Sequence, residues 1–403
     1  MAGSLLLSSF KQRNFRFFLT AESLTRVGDQ IEVVVLAWVI LVETGQPFLL
    51  GIFAALRFVG TLIAPLYGVM MDRYDRRLLL VGGRLVSAAM AAAILLLAVI
   101  DSLQVWHLFV LSTISGLART FSNVMREVLT ADVVQPRLFA NAIGLTRSAT
   151  DIMHMVGPFI GGLILKWYGI APAYVPVVIA YLGSAAAGYM LRLPQRDRAA
   201  IKTSVWRNLM EAGGYIRRSE VVLALLLMAF LVNNTALSVK DVLLPVFAHE
   251  VLEIGPDGLG RLMSSLFAGA FVGSIGVAGV TWLQRGGRFI VVSSLAWHGV
   301  FLLFAYSTWV GPSMGTLFVV GVFQSFTMVT MATLLIRVTP EEMRGRVMGA
   351  RSLAVYGLPM GLLVAGAISG TLGAPIAMAC NVIVGVVATL LIVGWLRRLW
   401  WAK

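Results

Sequence analysis

The chain has 403 residues, of which 59% are hydrophobic and only 13% charged, with a mean hydropathy of +0.87. A soluble domain carries about 25% charged residues, so the natural solvent of this chain is lipid. The formal charge of +13 does not mark a nucleic-acid binder, because the basic residues sit mostly in short loops between apolar runs. Cys380 is the only cysteine, which excludes an internal disulfide and a cysteine-based metal site. His107, His154, His249 and His298 show no metal-ligand spacing.

The apolar runs are about 20 residues long, the length a helix needs to cross a hydrocarbon core of about 30 Å. Twelve spans are expected, over about 15–42, 48–71, 78–100, 105–131, 142–168, 172–192, 221–247, 259–283, 289–308, 312–336, 346–370 and 374–397. Basic residues recur in every second loop. Arg73, Arg76 and Arg77 follow span 2, Arg137 follows span 4, Arg285 and Arg288 follow span 8, and Arg337, Arg344 and Arg346 follow span 10. The alternate loops 43–47, 101–104, 309–311 and 371–373 carry no Lys or Arg. The positive-inside rule then places both termini in the cytoplasm. The N-terminus lacks an early basic region and a small-residue cleavage site, so no removable signal peptide is expected.

One long polar stretch interrupts this pattern. Residues 193–218 hold Pro194, a run of charges and an amphipathic piece around Trp206-Arg207-Asn208-Leu209, which suits a linker helix along the cytoplasmic interface. It divides the chain into 1–192 and 219–403, two halves of six spans each. The halves read as repeats. Leu50-Gly51 through Arg76 lies on Leu259-Gly260 through Arg285, pairing Gly60 with Gly269, and Gly116 through Gly161 lies on Gly321 through Gly366.

The loop after span 2 reads Gly68-Val69-Met70-Met71-Asp72-Arg73-Tyr74-Asp75-Arg76-Arg77. This G-x-x-x-D-R-x-x-R-R spacing resembles the signature loop between helices 2 and 3 of the major facilitator superfamily. Asp75 stands where that loop usually has glycine, as in the branch that holds multidrug and macrolide efflux pumps and enterobactin exporters. The resemblance covers nearly the whole chain. It implies an all-α membrane protein with twelve transmembrane helices in two pseudo-symmetric six-helix halves. It also implies a charge network that braces helix 2 in one conformation, built from Gly68, Asp72, Arg73, Arg76 and Arg77, with Asp132 at the end of span 4 completing it through Arg76. Plain positive-inside charge is the alternative reading, and for Arg77 it is as good.

Span 1 holds Glu22, Arg26 and Asp29 at i, i+4 and i+7, on one helical face. Ionisable groups inside a bilayer cost about 2.5–3.5 kcal/mol each on insertion scales, so they turn to a partner or a water-filled cavity. Gly28-Asp29 resembles the Gly-Asp of helix 1 in the efflux branch. Asp29 is the first candidate for proton coupling, Glu32, Glu22 and Asp151 are further acids, and an Asp29–Arg26 or Asp29–Arg57 pair that only holds the half together is the alternative. Arg57 in span 2, Arg119 and Arg126 in span 4 and Arg147 in span 5 exceed what anchoring needs. Glu127, Asp151 and His154 are available to pair with them. Arg26, Arg57, Arg119 and Arg126 are candidates to line a substrate cavity, and any of them left unpaired would favour an anionic or zwitterionic ligand.

Gly157-Pro158-Phe159-Ile160-Gly161-Gly162 in span 5 resembles the core of the antiporter motif of drug:proton exchangers, with Met153 in place of its upstream glycine. Pro158 removes a backbone hydrogen bond, and the small residues allow close helix packing. Ordinary membrane-helix packing is the alternative. Charges are scarcer in the second half. Asn233, Asn234 and Gln324 are uncharged cavity candidates, and Lys240-Asp241 is either a gate pair or an interface charge.

No Gly-Lys-Ser/Thr phosphate loop, hydrolase serine elbow or His-Glu-x-x-His motif is present, so no enzyme is expected. The resemblance implies an exporter of amphipathic small molecules in exchange for protons, in a bacterial inner membrane. An exporter of one anionic metabolite such as a siderophore, a lipid flippase, and a non-transporting receptor on a transporter scaffold are the other readings. The expected partners are substrate, protons and lipid; no nucleic acid, cofactor or metal is expected, and the chain is expected to be a monomer.

Overall fold

The structure is a computed structural model that describes residues 8–63, 67, 70–71, 74–135, 138–193, 205–279 and 286–402. Gly68, Asp72 and Arg73 of the signature loop lie outside the described residues, as do Arg137, residues 194–204 and Arg285. The side chain of Glu127 is also outside them.

Twelve helical segments occur in the order of the expected spans. The first six are α1 (Arg13–Thr44), α2 (Pro47–Leu56, continued by a 3-10 turn over Val59–Ile63), α3 (Arg76–Val99), α4 (Val105–Asp132), α5 (Phe139–Tyr168) and α6 (Ile170–Tyr189). A linker helix follows at Val205–Arg218. The last six are α7 (Glu220–Val251), α8 (Pro256–Gly279), α9 (Gly286–Ala305), α10 (Val310–Val338), α11 (Glu341–Leu372) and α12 (Ala374–Trp395). Among the described residues, nine helices are long and apolar enough to cross a membrane. Two of the remainder, α1 and α4, are long but more polar. Glu22, Arg26, Asp29 and Glu32 lie in one, and Arg119, Arg126 and Asp132 in the other.

The outer surface fits lipid. Leu96, Ile179, Leu303 and Leu391 are exposed along the spans. Trp167, Tyr168, Tyr306 and Trp309 are exposed at helix ends by the loops poor in basic residues. Tyr74, Tyr189, Trp395 and Trp401 are exposed at the opposite ends. Amphipathic rings at both ends of membrane helices anchor them at headgroup level. The turns between spans are tight. Gly169 (φ +82°) joins α5 to α6, and Gly373 (φ +85°) joins α11 to α12 at the matching place in the second half. Both are in the left-handed region, where a side chain would be strained.

The chain forms two compact units. The first holds residues 1–44, 56–201 and 255–260, and the second holds 45–55, 202–254 and 261–403. In the first, α1 packs on α5 and α6, and α3 packs on α4 and α6. A core of Phe15, Phe18, Tyr67, Met71, Met125 and Leu129 fills the end near the signature loop. In the second, α9 packs on α10 and α12, and α7 on α11 and α12. Trp297, Phe301 and Phe304 are fully buried there, and Phe304 stacks on Phe247 with ring centroids 4.6 Å apart.

Glycine sets the closest crossings at matching places in both units. In the first, a Cβ on Gly60 would lie 2.7 Å from Thr120 Oγ1, and one on Gly116 would lie 2.7 Å from the Arg57 carbonyl oxygen. In the second, Gly269 meets the Phe318 carbonyl and Gly321 the Leu266 carbonyl more closely still. These are the glycines that the repeat alignment pairs, Gly60 with Gly269 and Gly116 with Gly321.

Candidate functional site: a buried charge network on α1

Four ionisable residues occupy the middle of α1, and the first unit supplies each with a partner. Glu22, Asp29 and Glu32 are all less than 5% exposed. Glu22 accepts a charge-assisted bond from Arg84 Nη2 at 2.6 Å. Arg26 and Arg126 lie at 4.0 Å on its other oxygen. Three cations from α1, α3 and α4 thus surround one carboxylate. Arg26 donates to the Asn123 side chain of α4 and lies 3.5 Å from Asp29 Oδ2.

Asp29 and Glu32 share a different partner. The Tyr181 hydroxyl of α6 lies 2.8 Å from Asp29 Oδ1 and 2.8 Å from Glu32 Oε2. Its position follows from the sequence of α1. A Cβ on Gly28 would lie 3.3 Å from the Tyr181 ring, so glycine leaves the room that lets the ring lie against the helix. One turn earlier, Ser184 donates to the Ala21 carbonyl and pairs with Thr25 at 2.7 Å, which fixes α6 against α1.

The small residues of α5 bring it against the same stretch of α1. A Cβ on Gly157 would lie 2.5 Å from Gln30 Cβ, and one on Gly161 would lie 3.0 Å from Ile31 Cα. Pro158 and Gly162 face the segment 255–260 instead. The Pro158 carbonyl lies against Gly260, and Gly162 against the Pro256 carbonyl. The small residues of this stretch thus pack α5 against α1 and against the segment 255–260.

The arginines are accommodated as follows. Arg119 donates to the Arg57 carbonyl at 3.0 Å and lies over the Phe58 ring at 5.7 Å. Arg57 is buried in the turn after Leu56. Arg147 pairs with Asp151 at 3.2 Å, one turn apart on α5. At the basic end, Arg76 Nη1 lies 2.8 Å from Asp132 Oδ2, joining the start of α3 to the end of α4. Arg77 lies over the Tyr189 ring at 4.5 Å. Asp75 acts within its own turn. Its carboxylate accepts from the backbone N–H groups of Arg77 at 2.7 Å and Leu78 at 3.3 Å, capping α3. A glycine at that place could not make these bonds.

The second-half candidates are engaged with backbone. Asn234 donates to the Gly357 carbonyl of α11 at 3.1 Å, and Asn233 to the Ala229 carbonyl at 2.7 Å. Both begin a stretch of π turns in α7, Asn233–Leu237 and Val239–Leu243. Such widened turns often mark functional places in helices. Lys240 and Asp241 pair with each other at 2.7 Å within it. Gln324 is half-buried on α10.

Three participants carry no sequence expectation: Arg84, Asn123 and Tyr181. Arg84 had a signal, a cation deep in an apolar span. Asn123 and Tyr181 had none, because one neutral polar residue in a membrane helix is ordinary. Among the described residues, no group of His, Cys, Asp and Glu could hold a metal ion.

The family profile described as Major Facilitator Superfamily matches residues 19–355. The chain is 24% identical over 383 residues to a protein named multidrug efflux pump Tap from Mycolicibacterium fortuitum, with 91% of this chain and 92% of that protein covered. It is 22% identical over 239 residues to macrolide efflux protein A from Streptococcus pyogenes, with 58% of each chain covered. The fold matches, with a TM-score of 0.74 at 13% identity, the crystal structure of a bacterial homolog to the human lysosomal transporter Spinster in an inward-facing and occupied conformation, covering 95% and 96% of the two chains.

Proposed function

This chain belongs to the Major Facilitator Superfamily, and from that premise we propose that it is a secondary exporter that moves amphipathic small molecules out of the cell in exchange for protons. It is a transporter, not an enzyme. The observation that carries the proposal is the pair Asp29 and Glu32, two buried carboxyls in one membrane helix that meet at a tyrosine hydroxyl. Ionisable groups are expensive at that depth and mark ion pathways when they persist. Two relatives named as efflux pumps favour export over uptake.

In this reading Asp29 and Glu32 take up and release the proton, and Glu22, locked to Arg84, holds the helices in place. Residues 1–192 and 219–403 rock as halves about the linker, with both termini in the cytoplasm of a bacterial inner membrane and the chain acting as a monomer. A dedicated exporter of one anion is the second reading, prompted by the arginines of α2 and α4. It is weakened by the partners that the α4 arginines have, Arg119 the Arg57 carbonyl and Arg126 the Glu22 carboxylate.

The test is transport in proteoliposomes under an imposed pH gradient, with a cationic dye and an anionic amphiphile in parallel. The expected result is dye movement coupled to inward proton flow, lost in Asp29→Asn. Movement of the anion alone would establish the second reading. Gradient-driven transport that survives Asp29→Asn and Glu32→Gln would overturn coupling at α1.

A further inference from the structure

The bonds around Tyr181 do not balance if both acids are ionised. A tyrosine hydroxyl has one hydrogen to give, and an ionised carboxylate can only accept. Yet Tyr181 Oη lies at hydrogen-bond distance, 2.8 Å, from an oxygen of each acid. Two such bonds need two hydrogens. With both carboxylates ionised, one of these contacts would set oxygen lone pairs against each other in a site closed to water. Tyr181 is 1% exposed, and Asp29 and Glu32 are each 4% exposed.

We propose that Asp29, Tyr181 and Glu32 together bind one proton, held on Glu32 while Asp29 remains ionised. The Glu32 carboxylic acid then donates to Tyr181 Oη, and Tyr181 donates to Asp29 Oδ1. The placement follows from the neighbours. Arg26 Nη1 lies 3.5 Å from Asp29 Oδ2 and is steadied by Asn123, so the negative charge stays opposite that guanidinium. Among the described residues Glu32 forms no ion pair, whereas Asp29 has Arg26. Arg119 is meanwhile directed at the Arg57 carbonyl. From α3 and α4, Arg84 and Arg126 face Glu22. From α5, Arg147 and Asp151 face each other.

Tyr181 is thus a positioning residue that ties the two acids into one proton site.

As a coupling device the inference rests on the proton-exchange reading above, but the bound proton can be read without transport. Infrared spectroscopy of the purified full-length protein in lipid, in H2O and D2O, reads the carbonyl stretch of a protonated carboxylic acid. We expect a D2O-sensitive band in the wild type that is absent in Glu32→Gln. In Tyr181→Phe, where the acid loses its acceptor, the band should shift to higher frequency or be lost by ionisation, and both results support the bridge. A wild type without the band, or a band unchanged in both Glu32→Gln and Tyr181→Phe, overturns the proposal. A band lost in Asp29→Asn but kept in Glu32→Gln overturns the assignment to Glu32. A protein with the band and no proton-coupled export would overturn only the exporter reading, and coupled export without the band would overturn only the shared proton.

Discussion

The two units cross their helices at matching glycines and then hold their interiors together by opposite means. The first buries ion pairs: Glu22 with Arg84 and Asp29 with Arg26. The second buries mainly neutral groups, with Asp241, paired to the neighbouring Lys240, as its buried acid. His298 lies between Thr235 Oγ1 at 2.9 Å and the Ser294 carbonyl at 2.8 Å, and Thr327 donates to Ser293 at 3.0 Å. A buried charge is costly once its partner is gone, whereas a neutral hydrogen bond contributes little net. The first unit therefore holds several helices together through buried ion pairs, where the second relies mainly on neutral hydrogen bonds.

That contrast can be broken most directly at its strongest pair. Arg84→Ala leaves Glu22 buried without its nearest cation and should cost roughly 3–5 kcal/mol, read as loss of folded yield or a large fall in melting temperature in detergent. Thr235→Val in the second unit, which leaves the neutral His298 Nε2 without its partner, should cost less, about 1–3 kcal/mol. Equal losses would erase the distinction. The shared feature gives a smaller effect. Gly60→Ala and Gly321→Ala each set a methyl against a facing atom, Thr120 Oγ1 in one case and the Leu266 carbonyl oxygen in the other. Overpacking of this kind costs about 1–3 kcal/mol. Gly321→Ala should be the worse of the two, because backbone cannot turn aside as a threonine side chain can. Thermal unfolding followed by tryptophan fluorescence would rank them. The smallest effect belongs to Asp75. Asp75→Ala removes the N-cap of α3 and should cost about 1 kcal/mol, while Asp75→Asn, which can still accept the backbone bonds, should cost less.

Much of this architecture is legible in the sequence, for a physical reason. Lipid forces every backbone group into a helix, so span order follows from apolar run length alone. Charge in such a run is equally conspicuous, which is why Glu22, Arg26, Asp29 and Glu32 stand out. The pair of Arg76 with Asp132 joins two loop ends that the signature-loop resemblance already brings together. Arg84 is equally conspicuous as a charge, but only the fold reveals that it answers Glu22. Tyr181 is illegible, because its importance lies in two distances across helices far apart in sequence. The π turns of α7 are illegible too, and they lie where Asn234 meets Gly357 and Gly361 of α11, a contact between helices far apart in sequence.

The glycine crossings have a consequence for how such a protein can change over time. Where Gly321 meets the Leu266 carbonyl and Gly269 the Phe318 carbonyl, both contacts are made by main-chain atoms. Main-chain atoms are the same whatever residue replaces leucine or phenylalanine. The crossing therefore asks for glycine at one position and leaves the facing position free to mutate. A transporter built this way can replace most of its wall, and with it the range of molecules it accepts, without moving a helix axis.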